Sequence, residues 1–389
     1  MTALIQVDDE FKVGSFNFNP LPNFNFQLNR TVMWNGGDPA DISRIAGRIT
    51  DSGTWKKEMI ALGDQALSQG RHKEAIAYYR MSEFFMFDGD PDKLKYYRLA
   101  AKMFSEYYHD YFERKLVIRY EVPYENVKLP VMYTGAQGEK KGIVLFHGGN
   151  DSYYEEFFIP MLYFSEHGFD VYLFEGPGQG SVLRLQGKPF TYRWEKPVKA
   201  IMDKFDLDDV TIVGASLGGM LAPRAAAFEK RIRRVVAWSI FPGFMDLLYA
   251  KLPPAACMGL GLLLKTRAKV IVDLLFNHAA KKNEMLKWGL GHGLYAYGAS
   301  SPYQALSKLS RYQMLDIAPL IDQDVLIIGA NQDHFIDYRL VGKEIDALTD
   351  VRSLTVRLFT EKEDAGAHCN VGNAKLVMDT MINWISSVT

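Results

Sequence analysis

The stretch "TIVGASLGGM", residues 211–220, joins an apolar, β-branched segment to a helical one through a serine set among small residues. β-Branched residues favour a strand, and glycines permit a tight turn after it. Ser216 stands at the centre of this turn in the pattern G-x-S-x-G. The serine either packs a helix closely on a strand, or projects its hydroxyl above a sheet as a nucleophile.

The composition is that of a folded protein with a large core. The chain has 389 residues, of which 48% are hydrophobic and 23% charged, as in globular proteins. This length indicates a large α/β domain with an accessory region, or two domains. The net charge of −1 argues against nucleic acid as a partner, because phosphate recognition needs a basic excess.

Targeting and metal signals are lacking in the sequence. The most apolar run, residues 255–264, has ten residues, whereas a membrane span needs about 20. Residues 1–13 show no basic segment followed by an apolar one, so we expect no signal peptide. Cys257 and Cys369 make no disulfide framework and fit a reducing cytoplasm. No CxxC or HxxxH spacing indicates a metal site, and we predict no cofactor.

The first part of the chain predicts an arm followed by helices. Residues 1 to about 38 are rich in Asn, Phe and Pro without a clear period, which indicates an extended arm whose aromatics pack on a neighbour. In the next segment Asp90 is a plausible N-cap, with Pro91 at the first helical position. Helical spacing on one face is clearest for Trp55, Met59, Leu62 and Ala66. We therefore assign residues 1–113 to an N-terminal arm and helical cap region.

From residue 114 the period changes to that of strands. Alternating residues predict two antiparallel strands joined at Glu125-Asn126. Further apolar runs then alternate with helical segments, which indicates βαβ units and a mostly parallel sheet. From about 242 to 319 the alternation stops, and Leu, Met and aromatics predict a helical cap inserted over the sheet. The α/β domain thus spans 114–389.

A serine hydroxyl is a weak nucleophile without a base. Of the eight histidines, His368 is preferred because its loop, "EDAGAHCN", lies between the last strand and the last helix. The base in turn needs a carboxylate to hold its tautomer. Asp333 follows the end of the strand "VLIIGA". Its rivals are Asp324, which precedes that strand, and Asp337, which we expect to face solvent.

Backbone N–H groups are needed to stabilise the negative oxygen formed after nucleophilic attack. Leu217 follows the serine and supplies one. Gly149, in the turn "HGG" after a predicted strand, supplies the second. The segment "EGPGQG", residues 175–180, superficially resembles a dinucleotide loop, but Ser181 stands where the third glycine belongs. We interpret it as a tight turn at the rim of the site.

The motifs "HGG", "EGPGQG", "GASLGG", "DHF" and "AHCNVGN", in this order, resemble the α/β-hydrolase superfamily. The chain is similar to the branch with an N-terminal helical region, which includes 2,6-dihydroxypseudooxynicotine hydrolase and prolyl-oligopeptidase-like esterases. The resemblance implies an α/β-hydrolase fold. It also implies a triad of Ser216, Asp333 and His368. The branch mixes ester, peptide and carbon–carbon hydrolysis. Some of its carbon–carbon hydrolases use an extra acid near the oxyanion turn, where this chain has Asn150, Asp151 and Glu155.

Our hypothesis is a serine hydrolase of the carboxylesterase or lipase type, acting on a small acyl ester. The alternatives are an acyl-peptide hydrolase, a carbon–carbon bond hydrolase and a non-catalytic binding protein of the same fold. A homodimer is a candidate assembly. The cap and the N-terminal helices should enclose an apolar acyl pocket. Its candidate lining residues, each also compatible with plain core packing, are Phe244, Leu262, Leu263 and Trp288.

Overall fold

The computed structural model describes residues 6–388. The first five residues of the predicted N-terminal region and the final residue of the α/β domain lie outside this range. A short 3₁₀ turn at Val7–Glu10 comes first. The helices that precede the first strand are α1 (Pro22–Met33), α2 (Pro39–Ala46), α3 (Ser52–Ser68), α4 (His72–Ser82), α5 (Pro91–Tyr107) and α6 (His109–Glu113).

The centre of the fold is a single mixed sheet. Its strands are β1 (Ile118–Tyr124), β2 (Val127–Thr134), β3 (Gly142–His147), β4 (Phe169–Phe174), β5 (Val210–Ala215), β6 (Ile232–Trp238), β7 (Asp324–Ala330) and β8 (Ser353–Phe359). Their order is β1-β2-β4-β3-β5-β6-β7-β8. Strands β3 to β8 are parallel, and the hairpin β1–β2 adds antiparallel strands at one edge. The prediction of a mostly parallel sheet is confirmed.

Helices cover both faces of the sheet. They are α7 (Phe158–Glu166), α8 (Gly180–Arg184), α9 (Glu195–Phe205), α10 (Gly218–Phe228), α16 (Val341–Ala347) and α17 (Ala374–Ser387). Strand β5 is buried along its whole length. Its successive side chains point to opposite faces: Val213 packs in the core shared with the N-terminal helices, and Ile212 in the core beneath α9 and α10. The N-terminal helices therefore share a core with the sheet.

The prediction of an extended arm over residues 1 to about 38 is wrong for Pro22–Met33, which form helix α1. Pro22 opens the helix, and apolar side chains at i, i+4 and i+8 are buried. The asparagines that obscure this period hold the preceding segment in place. Asn25 Oδ1 accepts a 2.7 Å hydrogen bond from the N–H of Phe18, and Asn29 Oδ1 one of 2.8 Å from Phe16. The buried apolar residues of α1 at this spacing are Phe24, Leu28 and Val32.

The predicted insertion contains helices between β6 and β7. They are α11 (Phe244–Tyr249), α12 (Pro254–Lys265), α13 (Lys269–Ala280), α14 (Glu284–Ala296) and α15 (Pro302–Leu309), followed by a 3₁₀ turn at Leu315–Leu320. No helix within residues 6–388 is long and apolar enough to cross a membrane. The domain limits of 113/114 and 242–319, the cytoplasmic location and the homodimer stay predictions.

Candidate active site

Ser216 occupies a strained turn between β5 and α10. Its φ of 59° lies in the left-handed region, which is uncommon for a residue other than glycine. The Ser216 N–H donates a 2.9 Å hydrogen bond to the carbonyl of Trp238 on the neighbouring strand. A Cβ at Gly214 would lie 2.3 Å from the carbonyl oxygen of Gly218. The sequence folds this way because glycine alone allows the helix to start so close to the strand.

The structure brings together the three polar residues predicted to act with one another. His368 Nε2 lies 2.9 Å from Ser216 Oγ, and His368 Nδ1 lies 2.6 Å from Asp333 Oδ2. The other oxygen of Asp333 accepts hydrogen bonds from the N–H groups of Phe335 and Ile336, at 2.8 and 3.0 Å. The carboxylate is thereby fixed by its own loop while it holds the imidazole.

The pKa values of the pair reflect this contact. Burial raises the pKa of Asp333, but the charge and hydrogen bond of His368 outweigh it and leave this pKa lowered overall. Burial likewise lowers the pKa of His368, whereas the Asp333 carboxylate raises it, and the net result is well above 6.5. The site therefore favours an ionised carboxylate and stabilises a protonated imidazole.

The rival carboxylates lie where the sequence placed them. Asp337 caps the 3₁₀ turn Tyr338–Leu340 and has a side chain 40% exposed. Asp324 is the first residue of β7, at the opposite end of the strand, where it accepts a hydrogen bond from Ser353 Oγ. Neither was predicted to contact His368, and the structure assigns each another partner.

His147 is a structural residue of the turn after β3. Its Nδ1 lies 2.9 Å from the carbonyl oxygen of Gly148, and its Nε2 accepts a hydrogen bond from the indole N–H of Trp194. Burial lowers the pKa of His147 to about 4. A neutral ring with the proton on Nδ1 satisfies both contacts. His147 thus supports the backbone of the turn beside Ser216.

The turn 148–149 lies against the serine. A Cβ on Gly149 would be 2.6 Å from Ser216 Cβ and 2.8 Å from the nitrogen of Leu217, so the backbones approach closely. The Gly149 N–H has a partner, since it donates a 3.0 Å hydrogen bond to Ser152 Oγ. Behind the turn, Gln179 donates to both its carbonyls. The segment "EGPGQG" therefore supports the turn from behind rather than forming the rim of the site.

A cavity of about 710 Å³ opens onto Ser216 and is lined mainly by apolar side chains. Of the predicted lining residues, Phe244 and Trp288 border it. The prediction is wrong for Leu262, whose side chain is 61% exposed, and for Leu263, which packs within the cap around Leu260. Both lie on α12, whose inner side packs against other helices of the cap and not against the cavity.

Helix α1 contributes cavity residues that the sequence interpretation missed. Asn23, Phe26, Gln27 and Arg30 line the cavity. The signal was a proline at a helix start followed by apolar residues four apart. It was hidden by the polar asparagines between them. The N-terminal region is therefore part of the cavity wall.

One wall of the cavity carries charged side chains that form ion pairs with one another. Arg30 binds Asp151 at 3.0 Å and Glu156 at 2.7 Å. Burial lowers the pKa of Arg30, but the two carboxylates outweigh this and raise it. Among the acidic-turn candidates, Asp151 and Asn150 line the cavity, whereas Glu155 pairs with a buried arginine, Arg80, away from it. Asp151 thus faces the cavity as half of an ion pair.

The cap touches the turn through Asn150. Tyr297 donates a 2.6 Å hydrogen bond to Asn150 Oδ1, and His292 Nε2 lies 3.1 Å from the Asn150 carbonyl oxygen. His292 also stacks on Trp288, with ring centroids 5.3 Å apart. These contacts position helix α14 over the site. In the part of the chain that the structure describes, no three His, Cys, Asp or Glu residues converge as metal ligands.

Comparison with known proteins assigns the chain to a family. Residues 142–370 match the family described as alpha/beta hydrolase fold. The chain belongs to this family. Hydrolase acrC of Aspergillus aculeatus is 28% identical over 95% of this chain and 97% of its own length. The 20-hydroxy-prefusarin hydrolase FUS2 of Gibberella moniliformis is 26% identical over 94% of this chain and 96% of its own.

A solved structure shares the fold over nearly the whole chain. The crystal structure of 2,6-dihydroxy-pseudo-oxynicotine hydrolase superposes with a TM-score of 0.63 at 19% identity. The match covers 92% of this chain and 95% of the other. The α/β-hydrolase fold, including the helices before the sheet, is therefore shared with a structurally characterised protein.

Proposed function

We propose that the chain is a serine hydrolase of the carboxylesterase or lipase type that forms an acyl-enzyme on Ser216. The observation that carries this proposal is the hydrogen-bonded series Ser216–His368–Asp333, whose serine and histidine line the apolar cavity. A serine with a base in contact, and a base with an orienting carboxylate, is the arrangement that activates a hydroxyl for attack.

In the first half-reaction Ser216 Oγ attacks the acyl carbonyl carbon while its proton passes to His368 Nε2. Asp333 keeps the imidazole in the correct tautomer and stabilises its charged form. The carbonyl oxygen becomes an oxyanion, for which we assign the N–H groups of Leu217 and Gly149 as donors. Ser152 Oγ occupies the Gly149 donor in the present structure, so substrate must take its place there.

The first half-reaction ends when the tetrahedral intermediate collapses, His368 gives its proton to the leaving alkoxide, and the alcohol departs. In the second half-reaction water attacks the acyl-enzyme and its proton passes to His368. The second tetrahedral intermediate then collapses, and His368 returns the proton to Ser216 Oγ as the acid departs. The products are a carboxylic acid and an alcohol, and no cofactor enters the balance.

The cavity indicates the size and character of the substrate. A volume of about 710 Å³ falls within the range of about 300–1,000 Å³ typical of small-molecule sites. Phe26, Phe244 and Trp288 offer aromatic surface to an apolar acyl group. The relative FUS2 is named for a hydroxylated substrate, and the ion pair of Arg30 and Asp151 offers this chain partners for polar substituents.

Covalent labelling tests the nucleophile. A fluorophosphonate probe should modify Ser216 alone, and Ser216→Ala should abolish both labelling and hydrolysis of p-nitrophenyl esters. Peptide mapping locates the adduct, and circular dichroism verifies the fold of the variant. An adduct on another serine would refute the assignment. Absence of any adduct in folded protein would favour the non-catalytic alternative.

A substrate panel tests the reaction class. We expect turnover of short- to medium-chain p-nitrophenyl esters and little cleavage of aminoacyl p-nitroanilides. Robust anilide cleavage without ester turnover would favour a peptidase. Asp151 beside the oxyanion turn is the observation that supports carbon–carbon hydrolysis as the second candidate. Hydrolysis of a 1,3-diketone would establish it, if the same enzyme is inactive on esters and anilides and a separate sample is labelled at Ser216 by the probe.

A further inference from the structure

The outer face of the cap helices α12 and α13 exposes a concentrated set of apolar side chains. Among the large hydrophobic residues within 6–388, the four most exposed lie here, at 61–78%. Two more on α13 are over half exposed. Elsewhere such residues are scattered, and single exposed apolar residues are normal on a protein surface. The six that form this outer cap face are Met258, Leu262, Val270, Ile271, Leu274 and Leu275.

The two helices are amphipathic, with the outer cap face opposite a packed inner face. Exposed residues recur four apart on each helix, as in Met258 and Leu262 or Val270 and Leu274, so they share a side. On the inner side, Leu260 and Val272 are buried in a small core with Leu306. The inner face thus packs α12 and α13 onto the rest of the cap. The residues of the outer face do not contribute to this packing.

Basic residues stand at the ends of the two helices that carry the outer cap face. Residues 254–282 contain five basic residues and one acidic residue, although the whole chain has a net charge of −1. The acidic residue, Asp273, accepts a hydrogen bond from the N–H of Tyr303. None of the basic side chains forms an ion pair with any residue between 6 and 388. These basic residues are Lys265, Arg267, Lys269, Lys281 and Lys282.

We infer that the outer cap face binds the surface of a membrane that contains anionic lipid. Apolar side chains on amphipathic helices insert into the interface, and flanking lysines and arginines contact acidic headgroups. Helices α12 and α13 have 12 residues each, too short to span a bilayer, so they lie in its plane. The inference is independent of the proposed reaction.

A second copy of the chain is the competing occupant. In a two-fold contact the same patch meets itself, so the basic rims of both copies would face one another. Like charges brought together in this way oppose association, whereas an anionic membrane attracts them. The charge pattern therefore favours lipid. Phe276, on the inner side of α13, lines the cavity, so lipid binding would bring the cavity wall to the membrane.

Vesicle flotation of the full chain tests the inference. We expect flotation with vesicles of phosphatidylcholine and 30% phosphatidylserine, and at least about tenfold weaker binding to pure phosphatidylcholine. Binding to the anionic vesicles should fall when salt is raised from 0.1 to 0.5 M. The double variant Val270→Ser/Leu274→Ser and the double variant Lys281→Glu/Lys282→Glu should each lose most of the binding.

Matched variants separate this surface from general effects. Lys57→Glu/Lys204→Glu changes two exposed lysines outside the inserted helices α11 to α15 and should float as the unaltered chain does. Circular dichroism of each variant verifies folding. No flotation with either vesicle, or equal flotation with both, would overturn the inference. It would also be overturned if light scattering showed a dimer that Val270→Ser/Leu274→Ser converts to monomer, because a second copy would then cover the face.

Discussion

The indole N–H of Trp238 donates a 2.8 Å hydrogen bond to Asn370 Oδ1. Trp238 ends β6, and Asn370 lies two residues after His368 with a left-handed φ of 54°. The amide of Asn370 also donates to the carbonyl of Ala365, at 2.8 Å. One side chain therefore ties both ends of the histidine turn to the sheet, which explains how a loop holds His368 beside Ser216.

Asn370→Ala should weaken both the fold and the reaction. It leaves the buried Trp238 N–H unpaired, which costs about 1–3 kcal/mol in the free energy of unfolding. Because Asn370 acts through His368, kcat for ester hydrolysis should fall while KM changes little. Asn370→Asp keeps the acceptor for Trp238 but loses the donor to Ala365, so it should recover only part of kcat. Urea unfolding and steady-state kinetics measure the two effects. Unaltered kcat in Asn370→Ala would show that the turn is held by other contacts.

Asp333→Asn should reduce kcat by up to about 10⁴-fold, because an amide favours the wrong imidazole tautomer. The backbone hydrogen bonds of the loop need only the oxygen that an amide retains, so the fold should persist. Asp337→Asn is the matched control, since its side chain is 40% exposed and caps a separate turn. Ester kinetics compares the two variants, and a larger loss in Asp337→Asn would refute the assignment of the acid.

The sheet and the polar series were readable from the sequence because each signal is local. Apolar runs marked the strands, and Ser216, Asp333 and His368 each follow a strand in the chain. Parallel strands end at one edge of a sheet, so residues that follow them converge there. The fold class thus required no information about long-range packing.

The errors arose where packing decides the outcome. Helix α1 has a weak apolar period because its asparagines, which disfavour helix interiors, are used for hydrogen bonds to the preceding segment. Leu262 and Leu263 were candidates on hydrophobicity alone. Composition cannot tell which side of a cap helix meets the cavity, and here α12 turns Leu262 outward. The hydroxyl of Ser152 on the Gly149 N–H likewise had no sequence signal.

The value of kcat/KM should decrease at acid pH, and the midpoint of this decrease should lie above the ordinary histidine pKa of 6.5. Only neutral His368 accepts the proton of Ser216, and the Asp333 carboxylate raises the pKa of His368 well above 6.5 despite burial. Activity should therefore rise with pH through a midpoint above 6.5. In Asp333→Asn the residual activity should show this midpoint at lower pH, because the negative charge is gone. The same midpoint in the unaltered protein and in Asp333→Asn would contradict the argument that Asp333 raises the pKa of His368.

Phe244→Ala should shift the preferred ester to a longer acyl chain. The side chain borders the cavity and packs against Phe241, with ring centroids 5.0 Å apart. Its removal leaves space in which each added methylene gains up to about 0.8 kcal/mol. A p-nitrophenyl ester series measures the shift. Leu262→Ala is the control, because this exposed leucine lies outside the cavity, and the same shift in both variants would refute the lining.

Glu344→Gln tests a buried carboxyl that packs behind the cavity wall. Its Oε1 accepts a 2.7 Å hydrogen bond from the N–H of Phe241, and Oε2 has no hydrogen-bond partner within residues 6–388. Burial raises the pKa of Glu344 to about 8, the Phe241 N–H opposes this, and the charge of Asp246 adds to it. The folded protein therefore keeps a proton that the unfolded chain releases near its ordinary value of about 4.5.

Because the folded state binds more protons in this window, Glu344 makes the free energy of unfolding decrease as pH rises from about 4.5 to about 8. Glutamine mimics the protonated carboxyl and keeps the acceptor for Phe241. Relative to the unaltered protein, Glu344→Gln should therefore gain about 2.5 kcal/mol more stability at pH 7 than at pH 5. Urea unfolding at pH 5 and pH 7 measures the free energies of unfolding of the two proteins. The other titrating groups are the same in both, so their contributions cancel in the difference. Glu139→Gln changes an exposed loop residue and is the control, whose difference in unfolding free energy from the unaltered protein should be the same at pH 5 and pH 7. If Glu344→Gln were instead less stable than the unaltered protein at pH 7, Glu344 would be charged in the folded state.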